Sequence, residues 1–232
     1  MKRKGTQITR RNIRLQPDQT ALSYFRNTIV RWYAINGRSF PWRCRSANIY
    51  YRIVSEVLLQ RTRAETVAAF APDFIRAFPN WKALGTASIS KLRAHLRPIG
   101  IWRRRADSLR NLGVHICRRG GHLPSRKSEI YALPNVGQYI GNAIILFWIR
   151  KPAPLLDGSM ARLLERFFGP RELADLRHDS FLQVLAHRVV LKRPIVTNWA
   201  LLDFAALVCS PRPRCSECPV ASKCRFYLEH RL

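Results

Sequence analysis

Apolar residues in this chain recur at helical spacing and show no convincing alternation of the kind that strands and hairpins need, which restricts the fold to packed helices. Ile53, Val54, Val57 and Leu58 form an i, i+4 stripe, and Val67, Phe70, Phe74 and Ile75 extend it beyond Arg61-Thr62-Arg63. Further helical stretches run near 22–34, 89–96, 104–118, 138–149, 159–168, 180–190 and 198–208. Punctuation falls at Gly120-Gly121, at Leu133-Pro134-Asn135-Val136-Gly137 and at Lys151-Pro152-Ala153-Pro154. The spacing predicts an all-α protein. With 232 residues and 47% hydrophobic content, it can bury a real core as one large domain or two small lobes, which excludes general disorder.

Charge narrows the partner. The chain carries 41 Lys plus Arg against 14 Asp plus Glu, a formal net charge of +27, and 33 of the basic residues are Arg. Arg forks onto phosphates and stacks on bases, so nucleic acid is the expected partner. A membrane is not expected, because no run of about 18 apolar residues exists and no segment pairs a basic face with a long apolar one. Residues 1–17 hold six basic residues and no acid, which reads as an arm that lies along phosphates. The basic start has no apolar stretch behind it, so secretion is not expected; in a prokaryote the chain would be cytoplasmic and associated with the nucleoid.

Two clusters carry chemistry. Cys209, Cys215, Cys218 and Cys224 lie within 16 residues, with gaps of five, two and five. Two thiolates two residues apart chelate one centre from a single turn, and the flanking loops bring the other pair. Zinc sites more often use two such knuckles, so the spacing favours a [4Fe-4S] cluster, with zinc as the alternative and disulfides as the weaker reading for an intracellular DNA-binding chain. Cys44 and Cys117 read as ordinary buried thiols. The second cluster is the turn 133–139. There Asn135 is able to adopt a left-handed conformation, and Gly137 lets the backbone of Val136, Gly137 and Gln138 approach a phosphate at a helix N-terminus. An inert helix–helix connection is the alternative.

The pieces resemble one family. Phe40-Pro41-Trp42-Arg43, the run Ser55-Glu56-Val57-Leu58-Leu59-Gln60-Arg61-Thr62, the turn at 133–139, Leu156-Asp157-Gly158, and Leu202-Asp203-Phe204 leading to Cys209 are similar to the helix-hairpin-helix DNA glycosylases related to endonuclease III and the adenine-DNA glycosylases. The matches span roughly residues 40–226 in family order. The stretch around Ile99-Gly100 and the end from Leu201 to Tyr227 look closest to the thymine-DNA glycosylases that act on T·G mismatches. This resemblance implies two helical lobes around a DNA-facing cleft: a six-helix lobe over 46–151 that carries the hairpin, and a cluster lobe made of 18–45 and 152–232. Three features depart from the family pattern: a first cysteine gap of five where six is usual, Asn135 where Gly is typical, and Ile140 in place of Thr.

The resemblance also assigns roles. Asp157 matches the catalytic aspartate, whose carboxylate would stabilise the oxocarbenium-like sugar and orient water; capping the helix that follows is the alternative, compatible role. Glu56 lies in an apolar helical stretch, where it would position water or relay a proton; pairing with Arg52 one turn earlier is the structural alternative. Tyr139 stands where bifunctional relatives carry a Lys nucleophile, so base removal without strand cleavage is expected. Gln60 and Arg61 match positions that enter the duplex when the target nucleotide is extruded. Arg212 and Arg214, between the first two cluster cysteines, are placed for phosphate.

Adenine glycosylases of the family normally append a C-terminal domain, whereas this sequence ends eight residues after Cys224. A monofunctional glycosylase that removes thymine or uracil opposite guanine is therefore expected, acting as a monomer on double-stranded DNA. Adenine excision is the alternative enzyme activity, and a DNA-binding module without chemistry is the alternative of another class.

Overall fold

A computed structural model of the protein describes residues 17–230. The basic arm expected over 1–17 lies outside the described residues except for Pro17, whose carbonyl accepts a hydrogen bond from Arg188 Nη1 at 2.8 Å. Among the described residues every regular element is helical. The long helices are α1 (Gln19–Asn36), α2 (Ile49–Leu59), α3 (Ala64–Ala77), α6 (Trp102–Arg118), α9 (Gly158–Phe168), α10 (Ser180–Val189) and α11 (Pro194–Leu207). Shorter ones are α4 (Trp81–Thr86), α5 (Ile89–Leu96), α7 (Lys127–Tyr131), α8 (Gln138–Ile144) and α12 (Arg225–Glu229).

Polar residues set many of the starts. Asp18, Asn48, Asn80, Ser88 and Asp179 each accept a hydrogen bond from a backbone N–H in the first turn of the helix they precede, satisfying donors that the helix itself cannot. The apolar stripe from Ile53 to Ile75 is two helices rather than one. It breaks at Gln60–Arg63, where Arg61 takes a left-handed conformation with φ 54°. The stretch expected as helix over 138–149 widens at its end, because α8 passes into a single π turn over Ile145–Ile149 that ends on left-handed Arg150.

Packing follows the apolar faces. Between residues 49 and 149, α6 lies against α4 and α5, while α2 lies against α3, α6 and α8. Elsewhere α11 packs on α1 and α9, and α9 also meets α10 and α12. Phe25 of α1 anchors the latter group, with ring centroids 4.6 Å from Phe167 and 5.0 Å from Phe168. The α4–α6 contact is a backbone contact: a Cβ built on Gly113 would stand 2.7 Å from the Gly85 nitrogen, and one on Gly85 would stand 2.8 Å from the Gly113 carbonyl carbon. Gly113→Ala should therefore destabilise the protein by about 1–3 kcal/mol, as overpacking does. Urea unfolding checks this, and an unchanged midpoint would show that the two helices yield easily.

Candidate active site

One cleft of about 990 Å³ gathers residues from across the chain, among them Arg43, Glu56, Gln60, Arg61, Tyr139 and Asp157. Its wall begins at the segment 38–43. Asp203 on α11, wholly buried, accepts hydrogen bonds from the backbone N–H of Arg38 at 2.8 Å and from the guanidinium groups of Arg38 and Arg43, both at 2.8 Å at their shortest. Held this way, Arg43 lies over the rings of Phe40 and Trp199, 4.9 and 5.4 Å from their centroids.

Glu56 sits on the buried face of α2 with 2% of its surface exposed. Arg52, the partner expected one turn earlier, turns instead to the carbonyls of Cys44 and Ala47. The carboxylate is met by Tyr139 in the first turn of α8, whose hydroxyl donates to Oε2 at 2.8 Å. Burial pushes the Glu56 carboxyl up to about 7, against the smaller pull of the Tyr139 hydrogen bond and the Arg43 charge. Burial, then the neighbouring carboxylates, raise the Tyr139 hydroxyl well above its ordinary value, so it stays a neutral donor.

Asp157 joins them from the start of α9. Its Oδ1 accepts from the backbone N–H of Ser159 at 3.0 Å and of Met160 at 2.7 Å, so it does cap the helix, and it does so while lining the cleft. Burial raises its carboxyl, and those two hydrogen bonds oppose the rise. The cleft thus holds one carboxyl that shares a proton near neutral pH and a second favoured in its ionised form by a helix N-terminus.

The hairpin takes the expected backbone. Asn135 is left-handed at φ 60°, and Gly137 precedes α8 with nothing within 4 Å of a Cβ built on it. Val136 closes the turn by donating its N–H to the Leu133 carbonyl at 3.2 Å. Gln138 also lines the cleft, and its amide reaches Gln183 of α10 at 2.7 Å. Arg212 and Arg214 are not among the cleft residues. Arg212 is exposed on the cysteine loop, and Arg214 donates to the Leu207 carbonyl and pairs with Glu217 at 3.5 Å.

Two features of the cleft were not read from the sequence. Ile101 is 42% exposed and left-handed at φ 48°, a conformation that costs a β-branched residue roughly 1–2 kcal/mol. Arg105, in the run Arg103-Arg104-Arg105, is buried beneath the same rim rather than exposed to solvent.

The four cysteines line one small apolar pocket against Leu163, Phe167 and Phe204. Arg166 Nη1 lies 3.4 Å from Cys209 Sγ, and Cys224 Sγ donates to the Arg166 carbonyl at 3.4 Å. Burial raises the thiols of Cys215, Cys218 and Cys224, Cys218 to about 11. Among the described residues no three His, Cys, Asp or Glu side chains are grouped tightly enough to hold a metal ion. Cys44, expected as a buried thiol, is exposed, and Cys117 is half-buried.

Comparison with known proteins fits this arrangement. Residues 54–181 match the profile of the HhH-GPD superfamily base excision DNA repair protein. Thymine-DNA glycosylase of Aeropyrum pernix is 36% identical over 217 residues, covering 90% of this chain and 97% of that protein. Thymine/uracil-DNA glycosylase of Pyrobaculum aerophilum is 34% identical, over 88% of this chain and 91% of that one. A solved structure of a thermostable thymine-DNA glycosylase superposes with a TM-score of 0.83 at 28% identity, covering 90% of this chain and 98% of its own. The chain belongs to the HhH-GPD superfamily of base excision DNA repair proteins.

The Glu56 environment has a sign that unfolding experiments can read. Its folded value of about 7 lies above the ordinary 4.5, so the protonated form stabilises the fold below 4.5 and that stabilisation is lost as pH rises through 7. Relative to Glu56→Gln, the wild type should lose roughly 3 kcal/mol between pH 4.5 and 8. Parallel curves for the two proteins would show that burial leaves the Glu56 carboxyl at its ordinary value.

Proposed function

We propose that this chain removes thymine or uracil mispaired with guanine from double-stranded DNA, hydrolysing the N-glycosidic bond and leaving the strand uncut. One observation carries the reading: Glu56, hydrogen-bonded to Tyr139, shares a single cleft with a helix-capping Asp157. The relatives' names, thymine-DNA and thymine/uracil-DNA glycosylase, support the same substrate class.

Breaking the bond to the base places positive charge on the sugar. Asp157, whose carboxylate form is favoured by two backbone N–H groups at the start of α9 against the pull of burial, sits in the cleft to stabilise that charge. At about 4 Å and an effective dielectric of about 20 the attraction is roughly 4 kcal/mol, which corresponds to about a thousandfold in rate. Glu56, protonated in part near neutral pH, relays a proton or holds the attacking water. Tyr139 offers a hydroxyl with a strongly raised pKa and no amine, so no Schiff base forms and the abasic product is released with its strand intact. Gln60 and Arg61 enter the duplex beside the extruded nucleotide, the backbone of 135–138 grips a phosphate, and Arg212 and Arg214 follow the phosphates nearby. The lobes over 46–151 and over 18–45 with 152–232 close on the DNA as a monomer.

The cysteine pocket suits a [4Fe-4S] cluster better than zinc. Four sulfur donors line one apolar pocket, a single Cys-x-x-Cys knuckle sits between two longer arms where zinc sites more often use two, and the Arg166 guanidinium lies 3.4 Å from Cys209 Sγ. When bound, the cluster would organise the loop 209–224 rather than take part in the hydrolysis. Purified protein should be yellow-brown, absorbing broadly near roughly 400 nm, with iron and acid-labile sulfide in equal amounts. A colourless protein with one zinc per chain would overturn that assignment.

The activity is tested on end-labelled duplex holding one G·T pair, with half of each sample treated with hot alkali. Strand breaks should follow alkali alone, and Asp157→Asn should bind the duplex but lower the single-turnover rate about a thousandfold. Breaks without alkali would show lyase action. No break in either half, with cleavage of a duplex holding adenine opposite oxidised guanine, would move the substrate to adenine.

A further inference from the structure

Among the arginines of the cleft, Arg105 is set apart by burial and by its partners. It is 4% exposed, and among the described residues no carboxylate pairs with it. Its Nη1 donates to the carbonyls of Ile99 at 3.2 Å and Gly100 at 2.6 Å. Its Nη2 donates to the carbonyls of Leu58 at 3.2 Å and Gln60 at 2.7 Å, and to Thr62 Oγ1 at 3.0 Å. Thr62 Oγ1 in turn donates to the Ile99 carbonyl at 3.3 Å. These acceptors come from two turns about 40 residues apart in sequence. One turn ends α2 and carries Gln60 and left-handed Arg61. The other precedes α6 and carries left-handed Gly100 and Ile101. Gln60, Arg61 and Ile101 all line the cleft.

We propose that Arg105 is a positioning residue for nucleotide extrusion, tying the 58–62 turn to the 99–101 turn so that Gln60 and Ile101 meet the duplex at a fixed spacing. The proposal rests on the glycosylase reading above and adds a residue that never touches DNA. A planar guanidinium spreads its divergent N–H groups over five acceptors on both turns, whereas an ammonium offers three donors from one nitrogen and can hold only some of them. Without it the two left-handed turns lose their common anchor and relax separately. Because the side chain is buried, its charge makes no phosphate contact. Its loss therefore acts on the step that unstacks the target, and leaves the electrostatic part of binding intact.

The test uses the full-length protein and a G·T duplex with 2-aminopurine beside the mismatched thymine, whose fluorescence rises when the step unstacks. Arg105→Met should bind with the wild-type salt slope, lose most of the fluorescence rise, and fall about tenfold to a hundredfold in single-turnover rate. Arg105→Lys should restore only part of both. Thr62→Val, which removes one bridging hydroxyl at nearly constant volume, should give a smaller loss of the same two signals; it decides the matter if the circular dichroism of Arg105→Met shows an unfolded protein. A full fluorescence rise in Thr62→Val and Arg105→Met, or a salt slope lowered by about one in Arg105→Met, would overturn the proposal. A wild type that neither unstacks nor processes the G·T duplex would instead overturn the functional reading beneath it.

Discussion

Asp203 lies on α11 with no access to water, and both of its oxygens are taken up by Arg38 and Arg43. Removing one partner of such a buried pair leaves an uncompensated charge and typically costs about 3–5 kcal/mol. The cleft wall leans on this contact: the segment 38–43 has only a short turn of its own, packs on α2 and α3 with Phe40 and Trp42 buried, and is tied to α11 by Asp203. Once fixed, it delivers Arg43 to a place where its charge reaches both Glu56 and Tyr139. A structural ion pair and an electrostatic influence on the site are therefore one arrangement, with Arg43 serving both.

The two carboxyl groups of the cleft owe their different character to where helices begin and run. Glu56 stands in the last turn of α2, on a buried face where a tyrosine hydroxyl and the Arg43 charge are what its carboxylate meets. Asp157 stands at the very start of α9, where two backbone N–H groups point at one oxygen. Burial raises both, yet only Asp157 has backbone dipoles to oppose it. The proposed division of labour between the two carboxyl groups rests on that difference in placement.

Much of this was legible in the residues themselves. Asp157 and Tyr139 are legible only through the family resemblance, whereas Glu56 is also a chemical oddity in its surroundings, a carboxylate among aliphatic residues. Asn135 was found because few other residues tolerate the conformation it takes. The break at Gln60–Arg63 was not, since an arginine in a left-handed turn has no compositional signature. Arg105 was hidden for a related reason: in a chain this basic, an arginine that turns inward looks like its neighbours until the carbonyls around it are seen. The Glu56–Arg52 pair was a fair reading of helical spacing, but Arg52 finds carbonyls at the start of its own helix instead. Helices α4, α7 and α12 are too short for a period of 3.6 residues to show itself.

The glycines of this protein answer to two different judges. Gly85 and Gly113 are held by the interior, where each backbone is pressed against the other and a methyl group would have to push a helix aside. Gly137 is pressed by nothing belonging to the chain. A side chain there would meet no clash within the fold. Variation at 85 and 113 would thus be filtered by whether the protein accumulates in the cell at all, whereas variation at 137 would pass that filter and, on the proposed reading of the hairpin, be met at the phosphate it grips.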